Sequence, residues 1–314
     1  MKATESPDKL IVILGPTATG KTKLAVRIAK ELRTSIVSGD SMLVYRGLDI
    51  GSAKPNTTER GGIHHALIDC LEPSNDNFNA AEFQRLAAEE IHSVNQRGSI
   101  PILVGGTGLY IKALLEGYRF NKNPEDDKFR ASLESLAEKH GKACVHTMLE
   151  KVDPESAARL HVNDFRRVVR ALEVWRFGKE RISRAKQEGG LVYDTCVIGL
   201  RSDRKILYER IEKRVDAMIA AGLEDEVRRL LASGVSRSAH AMQGIGYKEM
   251  VACIDGKLSL AEAVGNIKKA TRHFAKRQFT WYRKMPYIHW FDIDTVSFEN
   301  LVKTVLETIN NKFM

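Results

Sequence analysis

The sequence predicts an α/β fold, a parallel sheet core interrupted by a helical insertion. Three observations predict it. Short apolar runs alternate with helical periods through the first third of the chain, strand signals stop between about Asn121 and Gly190, and they return at Thr195. At 314 residues the chain is about two domains long, which suits one core carrying an insertion. Residues 1–120 and 191–314 read as the core, and 121–190 as the insertion.

Taken in order, Leu10 to Leu14 is a continuous apolar run ending at glycine, the pattern of a strand buried on both faces. Leu24, Ile28 and Leu32 recur every four residues, which predicts a helix over Thr22 to Leu32. Ser35 to Ser38, His65 to Ile68 and Ile102 to Val104 read as further strands. Between the last two, Phe83, Leu86, Ala87, Glu90, Ile91 and Val94 trace one side of a helix. In the insertion, Phe129, Leu133 and Leu136 form one helical face, and Phe165, Val168, Val169 and Leu172 another. Thr195 to Leu200 is a returning strand, followed by long helices and a last strand near Ile288 to Phe291.

Composition removes several function classes. With 43% hydrophobic and 28% charged residues the chain is that of an ordinary globular protein. No apolar run approaches the roughly 18–20 residues of a membrane span, so no membrane partner is expected. Met1 to Lys9 is polar and lacks the features of a signal peptide. Cys70, Cys144, Cys196 and Cys253 are too far apart for a zinc site or a disulfide framework and read as reduced thiols. A cytoplasmic monomer is the expectation.

The net charge of +9 is local. From Arg159 to Lys186 nine basic residues face three acids, and from Lys268 to Lys284 seven basic residues face none. A polyanion such as nucleic acid explains two such stripes, because each Lys or Arg contact to phosphate releases counterions. In the second stripe Leu260, Val264, Ile267, Thr271, Phe274 and Gln278 share a helical face and read as core, leaving Lys268, Lys269, Arg272 and Lys276 outward.

The chemistry is carried by Gly15-Pro16-Thr17-Ala18-Thr19-Gly20-Lys21-Thr22, which satisfies G-x-x-x-x-G-K-[ST] between a strand and a helix. In this phosphate loop, or P-loop, the amides and the helix N-terminus converge on an oxyanion. Lys21 neutralises phosphate charge and the Thr22 hydroxyl is placed to ligate Mg²⁺. Asp40 follows the second strand at the sheet edge where ligands of such sheets bind, as metal ligand, general base or turn cap. Asp69 competes as a metal-side carboxylate, whereas His64 and His65 read as structural. Gly105-Gly106-Thr107-Gly108 is a second glycine turn on the same edge. Arg166 and Arg170 share a face of an insertion helix, and Arg214 lies within reach of the phosphates.

The ordered set resembles the tRNA dimethylallyltransferase (tRNA isopentenyltransferase) family. The matching stretches are the phosphate loop, Asp40 to Arg46, Gly51 to Pro55, His64 to Asp69 and Gly105 to Tyr110. They continue through His161 to Asp164, Arg170 to Val174, Gly244 to Glu249, and Phe274 to Gln278 with Trp281. The resemblance implies a P-loop NTPase-like parallel sheet with a helical insertion domain that contacts tRNA. It implies transfer of a dimethylallyl group from its diphosphate to the exocyclic amine of the adenosine 3′ to the tRNA anticodon. In that reading Asp40 is the general base, Thr22 and Arg214 stabilise the departing diphosphate with Lys21 and Mg²⁺, and Thr17 touches the substrate. The same match implies tRNA contacts at Asp40, Ser41, Met42, Leu43, Thr107, Arg130, Arg166, Arg167, Val168, Val169 and Arg170. Gln243, Gly244, Ile245, Gly246, Tyr247 and Lys248 complete that set.

Two positions depart from the family pattern. Leu43 stands where glutamine is usual, and Arg166-Arg167 where Gln-Arg is usual. Leu43 offers no side-chain hydrogen bond. The chain ends soon after the last strand without the zinc-finger extension of some eukaryotic relatives, the expectation for a bacterial-type enzyme. Two rival readings share the phosphate loop: a small-molecule or nucleotide kinase, and a nucleotide-dependent RNA-binding switch.

Overall fold

Leu10 to Leu14 are all fully buried, as a strand covered on both faces must be. In the computed structural model, which describes residues 6–120, 126–178 and 190–313, they lie in β1 (Lys9–Leu14) at the interior of a six-stranded sheet. The other strands are β2 (Ile36–Ser38), β3 (His65–Ala66), β4 (Ile102–Gly105), β5 (Asp194–Arg201) and β6 (Ile288–Asp292). Their order is β3-β2-β4-β1-β5-β6 and every pairing is parallel. β3 is shorter than the expected His65 to Ile68, because Leu67 and Asp69 take φ of 59° and 55° and turn the chain out of the ladder.

Helices α1 (Lys21–Leu32), α2 (Thr57–Arg60), α3 (Ala80–Gln96) and α4 (Gly108–Leu115) connect the first strands. After them come α5 (Asp127–His140), α6 (Lys142–Val152), α7 (Pro154–Arg159) and α8 (Phe165–Gly178). The chain closes with α9 (Arg204–Ala220), α10 (Leu223–Ala232), α11 (Tyr247–Ile254), α12 (Leu260–Tyr282) and α13 (Phe298–Phe313). The alternation of β1 sorts the core. Ile11 and Ile13 pack with Leu24 and Ile28 of α1 and Val302 and Val305 of α13. Leu10, Val12 and Leu14 face the opposite side with Phe83 and Ile91 of α3 and Met250 of α11. Truncating one of these buried residues, Ile13→Ala for instance, costs about 2–5 kcal/mol.

Two compact units result, Met1–Leu115 with Leu191–Met314, and Glu116–Gly190. In the second unit Leu133 of α5, Val145 and Leu149 of α6, and Val168, Val169 and Leu172 of α8 form one hydrophobic cluster, with Phe129, Leu136 and Phe165 packed against it. Lys179, Arg181, Arg184 and Lys186 of the first basic stripe, and residues 121–125 at the expected start of the insertion, lie outside the described residues.

The second basic stripe lies on α12, which opens with a capping box between Ser259 and Glu262. Its buried face is Ala263, Ile267, Ala275, Gln278 and Tyr282. Leu260, expected in the core, is 42% exposed because it sits in the first turn, beyond the packed stretch. Two of the basic residues are engaged within the fold: Lys268 pairs with Asp216 of α9 at 2.6 Å and Arg272 with Glu212 at 2.5 Å.

Candidate active site

The phosphate loop is held from inside. Thr19 is buried and its hydroxyl donates to the Pro16 carbonyl at 2.8 Å, while Lys21 Nζ donates to the same carbonyl at 2.7 Å. Gly20 caps α1 with φ of 77° and no side-chain capping bond, so the first-turn amides remain directed at the loop's concave side. Ala18 adopts φ of 65°, a left-handed conformation that costs an alanine about 1–2 kcal/mol.

The loop opens on a cleft of about 670 Å³ at the C-terminal edge of the sheet. Thr17, Lys21, Thr22, Asp40 and Arg214 line it, together with apolar Ala25, Ile36, Leu43, Ile68, Val104 and Phe274. Arg214 Nη1 donates to Thr17 Oγ1 at 3.4 Å. Burial, then the charge of Arg214, pulls the Lys21 ammonium down to about 7, against the opposing pull of Asp40. Arg214 is likewise held below its usual range by burial, with Glu59 and Asp40 opposing. Burial pushes the Asp40 carboxyl up, although the Met42 and Leu43 amides and the Lys21 and Arg214 charges resist. Asp40 Oδ1 also accepts the Met42 amide at 2.8 Å, so it caps its turn while still facing the cleft. Two half-buried cations beside a carboxylate that resists ionisation leave a site short of negative charge. An anionic ligand would supply it.

The sequence places Gln278 on the core face of α12 without revealing its partners, and gives no role to Tyr282, the next buried polar residue. Gln278 Oε1 accepts the Thr17 amide at 3.0 Å and its Nε2 donates to the Gly106 carbonyl at 2.8 Å. The Tyr282 hydroxyl reaches the carbonyls of Gly15 and Gly106 at 3.2 and 2.9 Å. Polar residues four apart on a buried helical face were the available signal. The glycines of the second turn serve this packing: a Cβ on Gly105 collides with the Gly39 backbone, and one on Gly106 with the Gln278 amide. Thr107 Oγ1 accepts the Ser41 amide at 3.2 Å, joining the second turn to the segment after Asp40.

Asp69 is not a cleft carboxylate. It pairs with buried Lys54, and with Arg60 at 3.3 Å, so Gly51 to Pro55 is clamped to the segment after β3. His65 Nδ1 lies 2.9 Å from the Ile63 carbonyl and burial lowers its pKa, yet the ring also lines the cleft, so it is not confined to the structural place expected of it. Among the described residues no group of three or more His, Cys, Asp or Glu is arranged to hold a metal ion.

The residues matched to tRNA contacts divide by exposure. In the first unit Ser41, Met42 and Leu43 are half-buried beside Asp40, and Gln243 and Lys248 are exposed. Gly246 and Tyr247 are buried, as the Tyr247 hydroxyl donates to Glu226 at 2.7 Å and accepts the Ser52 amide at 3.2 Å. Glu226 in turn accepts the amides of Asp49, Ile50 and Gly51, so this pair sets a loop and its side chains are closed to a macromolecule. Gly244 and Ile245 are half-buried. In the second unit Arg166 and Arg167 are exposed, whereas Val168 and Val169 are buried in the hydrophobic cluster and offer no side-chain contact. Arg130 and Arg170 both donate to Glu173, at 3.0 and 2.5 Å. Glu173 is fully buried; burial opposes its charge, but bonds from Arg130, the Asp126 amide and Arg170 outweigh it and lower its pKa.

The family model described as IPP transferase matches residues 43–285. A tRNA dimethylallyltransferase of Bacillus cytotoxicus is 48% identical over 288 residues, covering 91% of this chain and 90% of that protein. One of Carboxydothermus hydrogenoformans is 47% identical over 315 residues, covering 98% and 99%. Among solved structures, the full-length tRNA isopentenylpyrophosphate transferase of Bacillus halodurans aligns with a TM-score of 0.74 at 42% identity, over 97% of this chain and 96% of that one. A eukaryotic dimethylallyltransferase acting on tRNA aligns with a TM-score of 0.82 at 28% identity, over 97% and 80%.

Proposed function

The chain belongs to the IPP transferase family, and we infer from this how it acts: it transfers a dimethylallyl group from dimethylallyl diphosphate to the exocyclic amine of the adenosine 3′ to the anticodon in tRNA, releasing diphosphate. The observation that carries the reading is the convergence of Thr17, Lys21, Thr22, Asp40 and Arg214 on one cleft that also has an apolar wall. The loop amides and Lys21 hold the diphosphate, and the apolar wall receives the five-carbon chain. As the C–O bond to diphosphate breaks, Lys21, Arg214 and the Thr22 hydroxyl stabilise the charge left on the departing oxygens. The adenine amine forms the new C–N bond and gives up a proton to Asp40. Since that amine is a weak nucleophile, positioning carries much of the rate.

The Thr22 hydroxyl would hold Mg²⁺ at this site, and the ion would supply further neutralisation of the leaving group. The target base leaves its stack to reach Asp40, as in other base-modifying enzymes. Exposed Arg166 and Arg167 of the helical unit and Gln243 and Lys248 of the core are the contacts proposed for tRNA. We place the enzyme in the cytoplasm, acting as a monomer.

Donor competition tests this reading. Labelled dimethylallyl diphosphate should pass its label to tRNA, and γ-labelled ATP should pass none to any acceptor. Transfer from ATP instead would support the kinase reading.

A further inference from the structure

Helices α9 and α12 border a second cavity, about 900 Å³, that shares no lining residue with the reaction cleft. Buried Leu207 and Ala275 line its interior, and exposed Arg201, Arg204, Lys276 and Arg283 line it as well. No acidic side chain lines it. Four cations of α12 and the residue that follows it, Lys268, Arg272, Lys276 and Arg283, differ in their partners. Lys268 and Arg272 are neutralised by Asp216 and Glu212, whereas among the described residues Lys276 and Arg283 pair with no carboxylate. Arg204 rests over the Tyr208 ring, 5.2 Å from its centroid. Arg201 has one carboxylate nearby, Asp292 at 3.9 Å.

Positive charge concentrated around a concave surface, with one distant carboxylate beside four cations, repels itself and attracts polyanions. The cavity is roomier than the reaction cleft, and its cations come from the end of β5, the start of α9, and α12 with the residue after it. A single diphosphate already has the loop; a phosphodiester strand matches several cations spread around an apolar interior. We propose that this groove binds the backbone phosphates of the RNA substrate at a stretch away from the reacting adenosine. The proposal rests on the reading that the acceptor is tRNA.

The test is the salt dependence of tRNA binding by the variant Arg204→Gln/Lys276→Gln/Arg283→Gln. Each lost phosphate contact lowers the slope of log affinity against log salt by about 0.7–0.9, so the slope should flatten by about 2. The Michaelis constant for dimethylallyl diphosphate should not change. A control variant, Lys30→Gln/Lys205→Gln/Lys303→Gln, removes the same charge from exposed positions outside the groove and should keep the wild-type slope. An unchanged slope in the groove variant, or equal flattening in the control, overturns the proposal while transfer to tRNA stands. A raised constant for dimethylallyl diphosphate with normal tRNA binding also overturns it, making the groove a donor entrance. Loss of the tRNA acceptor reading itself would appear separately, as no dimethylallyl transfer by the unmodified enzyme.

Discussion

The side-chain oxygen of Gln278 accepts the backbone N–H of Thr17 at 3.0 Å, tying α12 to the phosphate loop across 261 positions of sequence. Because Gln278 is 3% exposed, neither end of this amide has water as a substitute partner. Gln278→Met leaves the Thr17 amide unsatisfied, at about 1–3 kcal/mol, strips the Gly106 carbonyl of one of its two donors, and should raise the Michaelis constant for dimethylallyl diphosphate. Gln278→Glu is the sharper probe. A protonated carboxyl can still donate to Gly106, whereas a carboxylate repels that carbonyl, so the protonated form is favoured and the pKa raised. The variant should therefore match wild type best at low pH and lose activity as pH rises through that pKa. A variant-to-wild-type ratio of kcat/KM independent of pH would count against this role.

Asp40→Asn keeps the turn cap but cannot accept a proton. Turnover should fall by about 10²–10⁴, while tRNA binding stays near wild type. Since the Asp40 pKa is raised by burial and a base acts when ionised, kcat/KM should rise with pH through a limb above the usual carboxylate range. The Asn variant should lack that limb.

Lys21 gives a second pH signature of opposite sign. Its ammonium titrates near 7 in the free enzyme, and a bound diphosphate raises that value. Binding then takes up a proton above about 7, so affinity for dimethylallyl diphosphate is greatest below this pH and declines as pH rises. Lys21→Met should bind weakly and lose the decline. Calorimetry in buffers of different ionisation enthalpy would detect the proton uptake directly.

The insertion arginines should separate by partner. Arg167 is exposed, so Arg167→Ala should raise the tRNA Michaelis constant and leave the melting temperature unchanged. Arg170 is bonded to buried Glu173; Arg170→Ala should raise the same constant and also lower stability by about 1–3 kcal/mol. Equal melting temperatures for the two variants would contradict the Glu173 network.

Much of this was legible in the sequence because it was local. The strand, loop and helix from Leu10 to Leu32 form one contiguous unit, so motif and periodicity placed Lys21 and Thr22 at the sheet edge, and the short strand ending at Ser38 put Asp40 on the same edge. What stayed hidden depends on distant partners. Glu226 reads as one more surface acid until the fold brings Asp49 to Gly51 and Tyr247 to it. Asp69 looked like a metal-side carboxylate because the sequence cannot show Lys54 beside it. Val168 and Val169 were matched to tRNA alongside arginines, yet their apolar faces are claimed by the helical cluster.

Nucleoside analysis of the reacted tRNA tests the central claim most directly. Enzyme, Mg²⁺, labelled dimethylallyl diphosphate and unmodified tRNA are incubated, and the tRNA is digested and resolved by mass spectrometry. The account predicts label on the exocyclic nitrogen of the adenosine 3′ to the anticodon, with one diphosphate released per label transferred. Unmodified adenosine at that position, with label remaining in the diphosphate ester or phosphate transferred from ATP, would contradict it.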